Sequence, residues 1–152
     1  MDSTILASKF ALWFARCALF FVFIVNVQCA IQFVIWPDAF VSSYELSGIP
    51  GSIAIQGLGV AFLMWNTTYP IAIAHPEKFR VVYGIVLAQQ VIGLVGETAI
   101  LVGMPSGHEI LTSSILRFIA FDATGLVLMS SAFVVLMVSR KRKRMTLESS
   151  AS

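Results

Sequence analysis

Four apolar runs, over residues 10–36, 50–74, 79–103 and 111–139, take up nearly all of a 152-residue chain. A helix that crosses the hydrocarbon of a bilayer needs about 20 mostly apolar residues, and each run meets that length. Lipid offers a backbone no hydrogen-bond partner, so each run must satisfy its own N–H and C=O groups as a helix. Charged residues make up 12% of the sequence, against roughly 25% in a soluble domain. The chain therefore reads as an all-α, polytopic membrane protein, an up-down four-helix transmembrane bundle over residues 10–139. Residues 1–9 are expected to be a loosely ordered polar lead on the cytoplasmic side, and residues 140–152 a basic cytoplasmic tail. No stretch is long enough for a separate soluble domain.

The charges outside the runs are sorted by side. Lys9 and Arg16 flank the start of the first run, Lys78 and Arg80 lie between the second and third, and Arg140, Lys141, Arg142, Lys143 and Arg144 follow the fourth. The other two connections carry Asp38, Glu45, His108 and Glu109 but no Lys or Arg. The positive-inside rule then puts both termini in the cytoplasm of a multi-pass protein of the cytoplasmic or plasma membrane. The basic tail abuts the last run and is expected to attract anionic headgroups, at about 1 kcal/mol per basic residue. A nucleic-acid role is not expected of it. The first run exceeds the 7–15 apolar residues of a signal peptide, and Val27-Gln28-Cys29 lacks a small-x-small cleavage pattern, so it reads as a retained span. Cys17 and Cys29 are separated by about 18 Å of helical rise and cannot bridge each other.

Inside the runs, ionisable residues are few. Arg117 and Asp122 interrupt the fourth, and Glu97 lies in the third. A charge at mid-membrane costs about 2.5–3.5 kcal/mol on insertion scales, so such residues usually face a bundle interior, a cavity or each other. Counting from the outer end at about 1.5 Å per residue, Glu97, Arg117 and Gln56 lie about six residues in, Gln32 about four and Gln28 about eight. Asp122 is deeper, level with Gln90, and about 140° around its helix from Arg117. The expectation is a buried polar site in the outer half. There Arg117 pairs with Glu97, the helix 1 and 2 amides of Gln28, Gln32 and Gln56 complete the hydrogen bonds, Gln90 belongs to the site at a deeper level, and Asp122 is the spare charge. Gln28 and Gln32 are four apart and expected on an inward face.

Local features add detail. Gln56, Gly59, Leu63, Asn66 and Pro70 repeat at three and four residues along the second run, and small residues there would let a neighbouring backbone approach. Pro70 is expected to kink that helix, with the Thr67 and Thr68 hydroxyls taking up freed backbone groups. Trp65, Asn66 and Tyr69 form a further candidate site in the inner half. Asn66-Thr67-Thr68 fits a glycosylation pattern but lies within the bilayer, and is discounted. Phe40, Tyr44 and Leu46 in the longest connection suggest that it lies on the membrane surface or folds over the bundle, with surface packing expected.

No H-E-x-x-H, G-x-S-x-G, Walker or haem-attachment motif occurs, so no metal, cofactor or nucleophilic hydrolysis is expected. Buried charges mark sites without naming chemistry. The leading expectation is a non-catalytic protein that binds a small amphipathic ligand, or serves as an accessory subunit in a homo-oligomer or with another membrane protein. For the polar cluster itself a structural lock that fixes helix register is the first expectation, ahead of a ligand site and of proton or ion passage. The alternative class is a membrane enzyme acting on a lipid or quinone, or a proton-coupled small-solute carrier, using Glu97 and Asp122 for acid–base chemistry.

Overall fold

Runs without proline become long helices, and the prolines mark where they stop. The computed structural model describes residues 3–150, of which no part is strand, and the chain is 89% helical. Helix α1 runs over Ser3–Ile35 and ends before Pro37. A short helix α2, Asp38–Val41, and a 3-10 turn, Ser42–Tyr44, follow. Helix α3 covers Gly48–Trp65, a 3-10 turn Asn66–Thr68, and α4 Tyr69–Ala74. Helix α5 is Arg80–Val102 and α6 is Glu109–Ser150. Four segments are long and apolar enough to cross a membrane: Leu6–Ile35, Gly48–Ala74, Arg80–Val102 and Glu109–Thr146. The protein is an all-α membrane bundle.

Both ends continue their helices, the lead against expectation. The lead is helical from Ser3, because residues 3–9 contain neither glycine nor proline. The basic tail is likewise helical: Arg and Lys are good helix formers, and α6 carries Arg140 to Arg144 outward as exposed residues, with Arg144 bonded to Glu148 one turn on at 2.8 Å.

The kink at Pro70 takes the expected form. Proline has no N–H to give the Asn66 carbonyl, so the helix tightens there and the Tyr69 N–H bonds to Asn66 instead. The Thr67 hydroxyl donates to the Met64 carbonyl at 2.8 Å, and the Thr68 hydroxyl shares its one hydrogen between the Trp65 carbonyl at 3.4 Å and Gln89 Oε1 at 3.1 Å.

The spans pack in a ring. α1 lies against α6 on one side and against α3 and α4 on the other, and α5 closes the ring between α6 and α4. α3 makes no substantial contact with α5, so the second and third spans meet only at α4 and the 3-10 turn and diverge beyond it. The buried line of α1 runs through Ala11, Ala15, Ala18, Val22, Ala30 and Phe33. Asn26 falls on this line. Gln28, two residues further, is turned by about 200° and is exposed, and Gln32 is only half-buried. The expected inward face of these two glutamines is therefore taken by Asn26. Against that line, Gly59 of α3 lets the backbones approach: a Cβ there would sit 2.8 Å from the Ala30 carbonyl oxygen.

The end of the bundle holding residues 36–47 and 103–108, here the loop end, is capped. Rather than lying on a surface, the α2 segment folds over the bundle, because Phe40 and Tyr44 both pack on the buried Phe33 ring, at 4.8 and 6.0 Å between centroids. Of the three expected surface anchors, Phe40 and Tyr44 are half-buried and Leu46 alone is exposed. Glu45, in the left-handed region at φ 53, pins the cap to α6: its carboxylate accepts from His108 Nδ1 at 2.5 Å and from the Leu111 N–H at 3.3 Å. The Ser114 hydroxyl donates to the Ser43 carbonyl at 2.7 Å, and Ser52 is bonded to Asp38. At the opposite, basic end, Arg16 donates to the Ala74 carbonyl at 2.7 Å and Arg140 to that of Glu77 at 3.2 Å. The first of these places a cation at the C-terminus of α4, where the helix dipole favours it.

Two outcomes follow from these contacts. Gly59→Ala is expected to lower stability by about 1–3 kcal/mol through overpacking, whereas Gly57→Ala, inside α3 and meeting nothing within 4 Å, should raise it by about 0.4–1 kcal/mol. Thermal unfolding in detergent compares them. The hydrogen bond from His108 holds the Glu45 carboxyl below its ordinary value of 4.5. A carboxyl whose folded value is depressed adds stability above 4.5 and loses it as pH falls through the folded value. Glu45→Gln should therefore lower the unfolding temperature near neutral pH, with the difference shrinking in increasingly acid buffer.

Candidate functional site

Where the second and third spans diverge, a cavity of about 160 Å³ lies among all four spans. α1 contributes Asn26; α3 contributes Phe62 and Trp65, with Asn66 just beyond; α5 contributes Gln89, Gln90, Gly93 and Glu97; α6 contributes Phe118 and Asp122. Gln90, Gly93 and Glu97 share a helix face by their spacing, and they line the wall together. Gly93 is required by Asp122: a Cβ at Gly93 would lie 2.5 Å from the Asp122 Oδ2.

The hydrogen bonds give each amide one orientation, because a carbonyl or carboxylate oxygen only accepts. Gln90, 3% exposed, donates through Nε2 to Asp122 Oδ1 at 2.7 Å and accepts at Oε1 from the Tyr69 hydroxyl at 3.3 Å. Gln89 donates to the Trp65 carbonyl at 3.4 Å and accepts from the Thr68 hydroxyl at 3.1 Å. Asn66, also 3% exposed, donates through Nδ2 to the Phe62 carbonyl at 2.8 Å. That leaves Asn66 Oδ1 buried without a partner, and Glu97 Oε2 is buried without one as well. Burying an acceptor with no donor costs about 1–3 kcal/mol.

Of the residues expected to form one site, Glu97, Asp122 and Gln90 come together. The separate inner-half candidates join them, since Trp65 and Asn66 line the same wall and Tyr69 bonds Gln90. Arg117 is elsewhere. It is exposed, and its guanidinium donates to the Ser114 hydroxyl at 3.1 Å, toward the cap. The ion pairs among the described residues are Glu45–His108 and Arg144–Glu148, so Arg117 and Glu97 make none. A long arginine side chain reaches along its helix toward the nearer polar end, and here the hydroxyl of Ser114, one turn back, receives it. Gln56 is bound to the Val34 carbonyl at 3.2 Å, on the outside of the α1–α3 contact.

A second hollow, of about 360 Å³, lies under the cap between α1 and α6. Phe33, Phe40 and Tyr44 wall it with Cys29 and Arg117, and it shares Asn26 and Phe118 with the acidic cavity. The Phe118 ring stands between the two, edge-on to Phe33 at 6.4 Å and to Phe62 at 6.2 Å. Burial pushes the Tyr44 hydroxyl above its ordinary value. A larger groove between α1 and α6 near the basic end is mostly apolar.

Sequence reasoning left Asn26, Phe62, Gln89 and Phe118 out of the site. Asn26 had a signal, since it continues the small-residue line Ala11, Ala15, Ala18, Val22; the aromatic pair had none, as phenylalanines are abundant on every face of this chain. Comparison of the chain with protein-family models, curated proteins and solved structures finds no match, so the functional reading rests on the geometry of the site.

Double-mutant cycles separate contact from mere proximity. Glu97→Gln and Arg117→Gln should add to within about 0.3–0.5 kcal/mol, while Gln90→Leu and Asp122→Leu should show a coupling of about 0.5–3 kcal/mol. Unfolding in mixed detergent reads both.

Proposed function

We propose that this protein is a non-catalytic membrane protein that binds a small amphipathic molecule between its spans. The observation that carries the reading is the pair of unpartnered buried acceptors, Asn66 Oδ1 and Glu97 Oε2, on the wall of a cavity to which all four spans contribute. A structural lock would pair its polar atoms with one another. Here Gln89 and Gln90 do so, while one acceptor each on Asn66 and Glu97, both lining the cavity, stays without a partner. A few convergent polar groups in an otherwise apolar hollow are the usual form of a small-molecule site. The divergence of α3 from α5 supports entry from the side, out of the lipid.

The chain is further proposed to cross the cell membrane four times with both termini in the cytoplasm. Lys78, Arg80 and Arg140 to Arg144 support this, since they gather at one end while the other holds Asp38, Glu45 and Glu109. The exposed basic turns of α6 then meet anionic headgroups. A second reading, a proton-coupled carrier or a membrane enzyme, is favoured by one feature, the two carboxylates Glu97 and Asp122 on a single cavity wall. It predicts that Asp122→Asn abolishes pH-dependent flux or turnover and leaves the fold intact.

Native mass spectrometry of the protein extracted from its host in mild detergent tests the binding reading. The expected spectrum carries an adduct of a few hundred daltons, lost in Asn26→Trp, which fills the cavity. A bare subunit would overturn the reading, and a protein-only complex would replace it with an accessory-subunit role.

A further inference from the structure

We propose that the ligand is a small primary or secondary ammonium with an apolar body, its N–H groups donating to Asn66 and Glu97; this rests on the binding reading above. The buried side-chain atoms of the wall that lack a partner are acceptors. The amide nitrogens of Asn66, Gln89 and Gln90 are turned to protein carbonyl or carboxylate oxygens at 2.8, 3.4 and 2.7 Å. The Thr68 and Tyr69 hydroxyls donate to the glutamine oxygens. Left without a partner among the buried atoms are two acceptors: Asn66 Oδ1, on a side chain 3% exposed, and Glu97 Oε2. A ligand that fits must bring hydrogens.

Charge narrows the class. Glu97 and Asp122 lie on the wall, and no Lys, Arg or His does. Arg117 is not on this wall and makes no ion pair with either carboxylate among the described residues. An anion would meet like charge in a low-dielectric site. A quaternary ammonium would meet the charge but carries no N–H for the two open acceptors. No group of three or more His, Cys, Asp or Glu among the described residues gathers to hold a metal ion. Three aromatic rings, Phe62, Trp65 and Phe118, border the cavity instead, and aromatic faces attract an organic cation.

Size sets the remaining condition. A cavity of about 160 Å³ is below the roughly 300–1,000 Å³ of a site for a drug-sized ligand, so it takes the head alone. The adjoining hollow of about 360 Å³ shares Asn26 and Phe118 with it and is walled by Phe33, Phe40 and Tyr44. An ammonium in the first cavity would lay its apolar body past Phe118 into the second, under the cap.

Calorimetric titration of the whole protein in lipid nanodiscs, with empty nanodiscs subtracted, tests this with three probes: phenethylamine, the neutral 2-phenylethanol, and the N,N,N-trimethyl derivative of phenethylamine. At neutral pH phenethylammonium is expected to bind at least tenfold more tightly than either of the others, and Glu97→Gln to weaken it at least tenfold. If that variant does not fold, the probe series on the unaltered chain decides. Equal affinity for the alcohol or the quaternary ion, no change in a folded Glu97→Gln protein, or a native adduct whose accurate mass contains no amine nitrogen would overturn the ammonium class. None of these would remove a native adduct, so the binding reading would stand. Absence of both adduct and probe binding would remove the two together.

Discussion

Hydrocarbon has no donors or acceptors, and the bundle is arranged around that lack. Gln90 shows the consequence at one residue. Its amide donates to Asp122 on α6 and accepts from Tyr69 on α4, so one side chain of α5 ties two other helices into the ring. Tyr83, buried on the same helix, repeats the device nearer the basic end by donating to the Met129 carbonyl at 2.9 Å. Such bonds add modest energy, about 1–2 kcal/mol at most in membranes, but they give each helix a rotation that lipid-like Leu and Val surfaces do not specify.

Between those ties the packing changes character along the axis. Toward the basic end, Ala11, Ala15 and Ala18 of α1 allow close approach, and Tyr69, Tyr83, Met129 and Leu136 fill the interior. Toward the loop end the helices spread, and aromatic rings take over: Phe33, Phe40, Tyr44, Phe62 and Phe118 touch in one cluster. Large rings meeting edge to face pack less densely against a diverging pair of helices than small residues do. The acidic cavity and the hollow beneath the cap occur at that transition. The 3-10 turn at Asn66–Thr68 sits there too: the Asn66 backbone carbonyl, which Pro70 cannot serve, takes the Tyr69 N–H, and the side-chain Oδ1 of the same residue is left without a partner.

Much of this was legible beforehand. Span number, the breaks at Pro37, Pro70 and Pro76, and the role of Thr67 and Thr68 are local matters, governed by residues within a turn of each other. Gln90, Gly93 and Glu97 could be put on one face for the same reason. Arg117 could not be assigned a partner this way. Depth counting placed it level with Glu97, but a long flexible side chain chooses among neighbours in azimuth as well as height, and Ser114 was nearer. Gln28 and Gln32 failed similarly, because a shared face does not say which way that face points; the Ala11-to-Phe33 line decided it, with Asn26 inside.

The amino-acid sequence by itself determined that this is a bundle of four apolar helices with charge concentrated at one end, because transfer into lipid and backbone satisfaction depend on composition along the chain. It also determined that Glu97 and Asp122 would need an interior. Only the tertiary structure decided which interior. Bringing Trp65 and Asn66 of the second span to the carboxylates of the third and fourth, and leaving Arg117 outside, depends on how four cylinders rotate and spread against one another. That is set by contacts such as Gly59 on Ala30 and Gly93 on Asp122, between residues far apart in the chain.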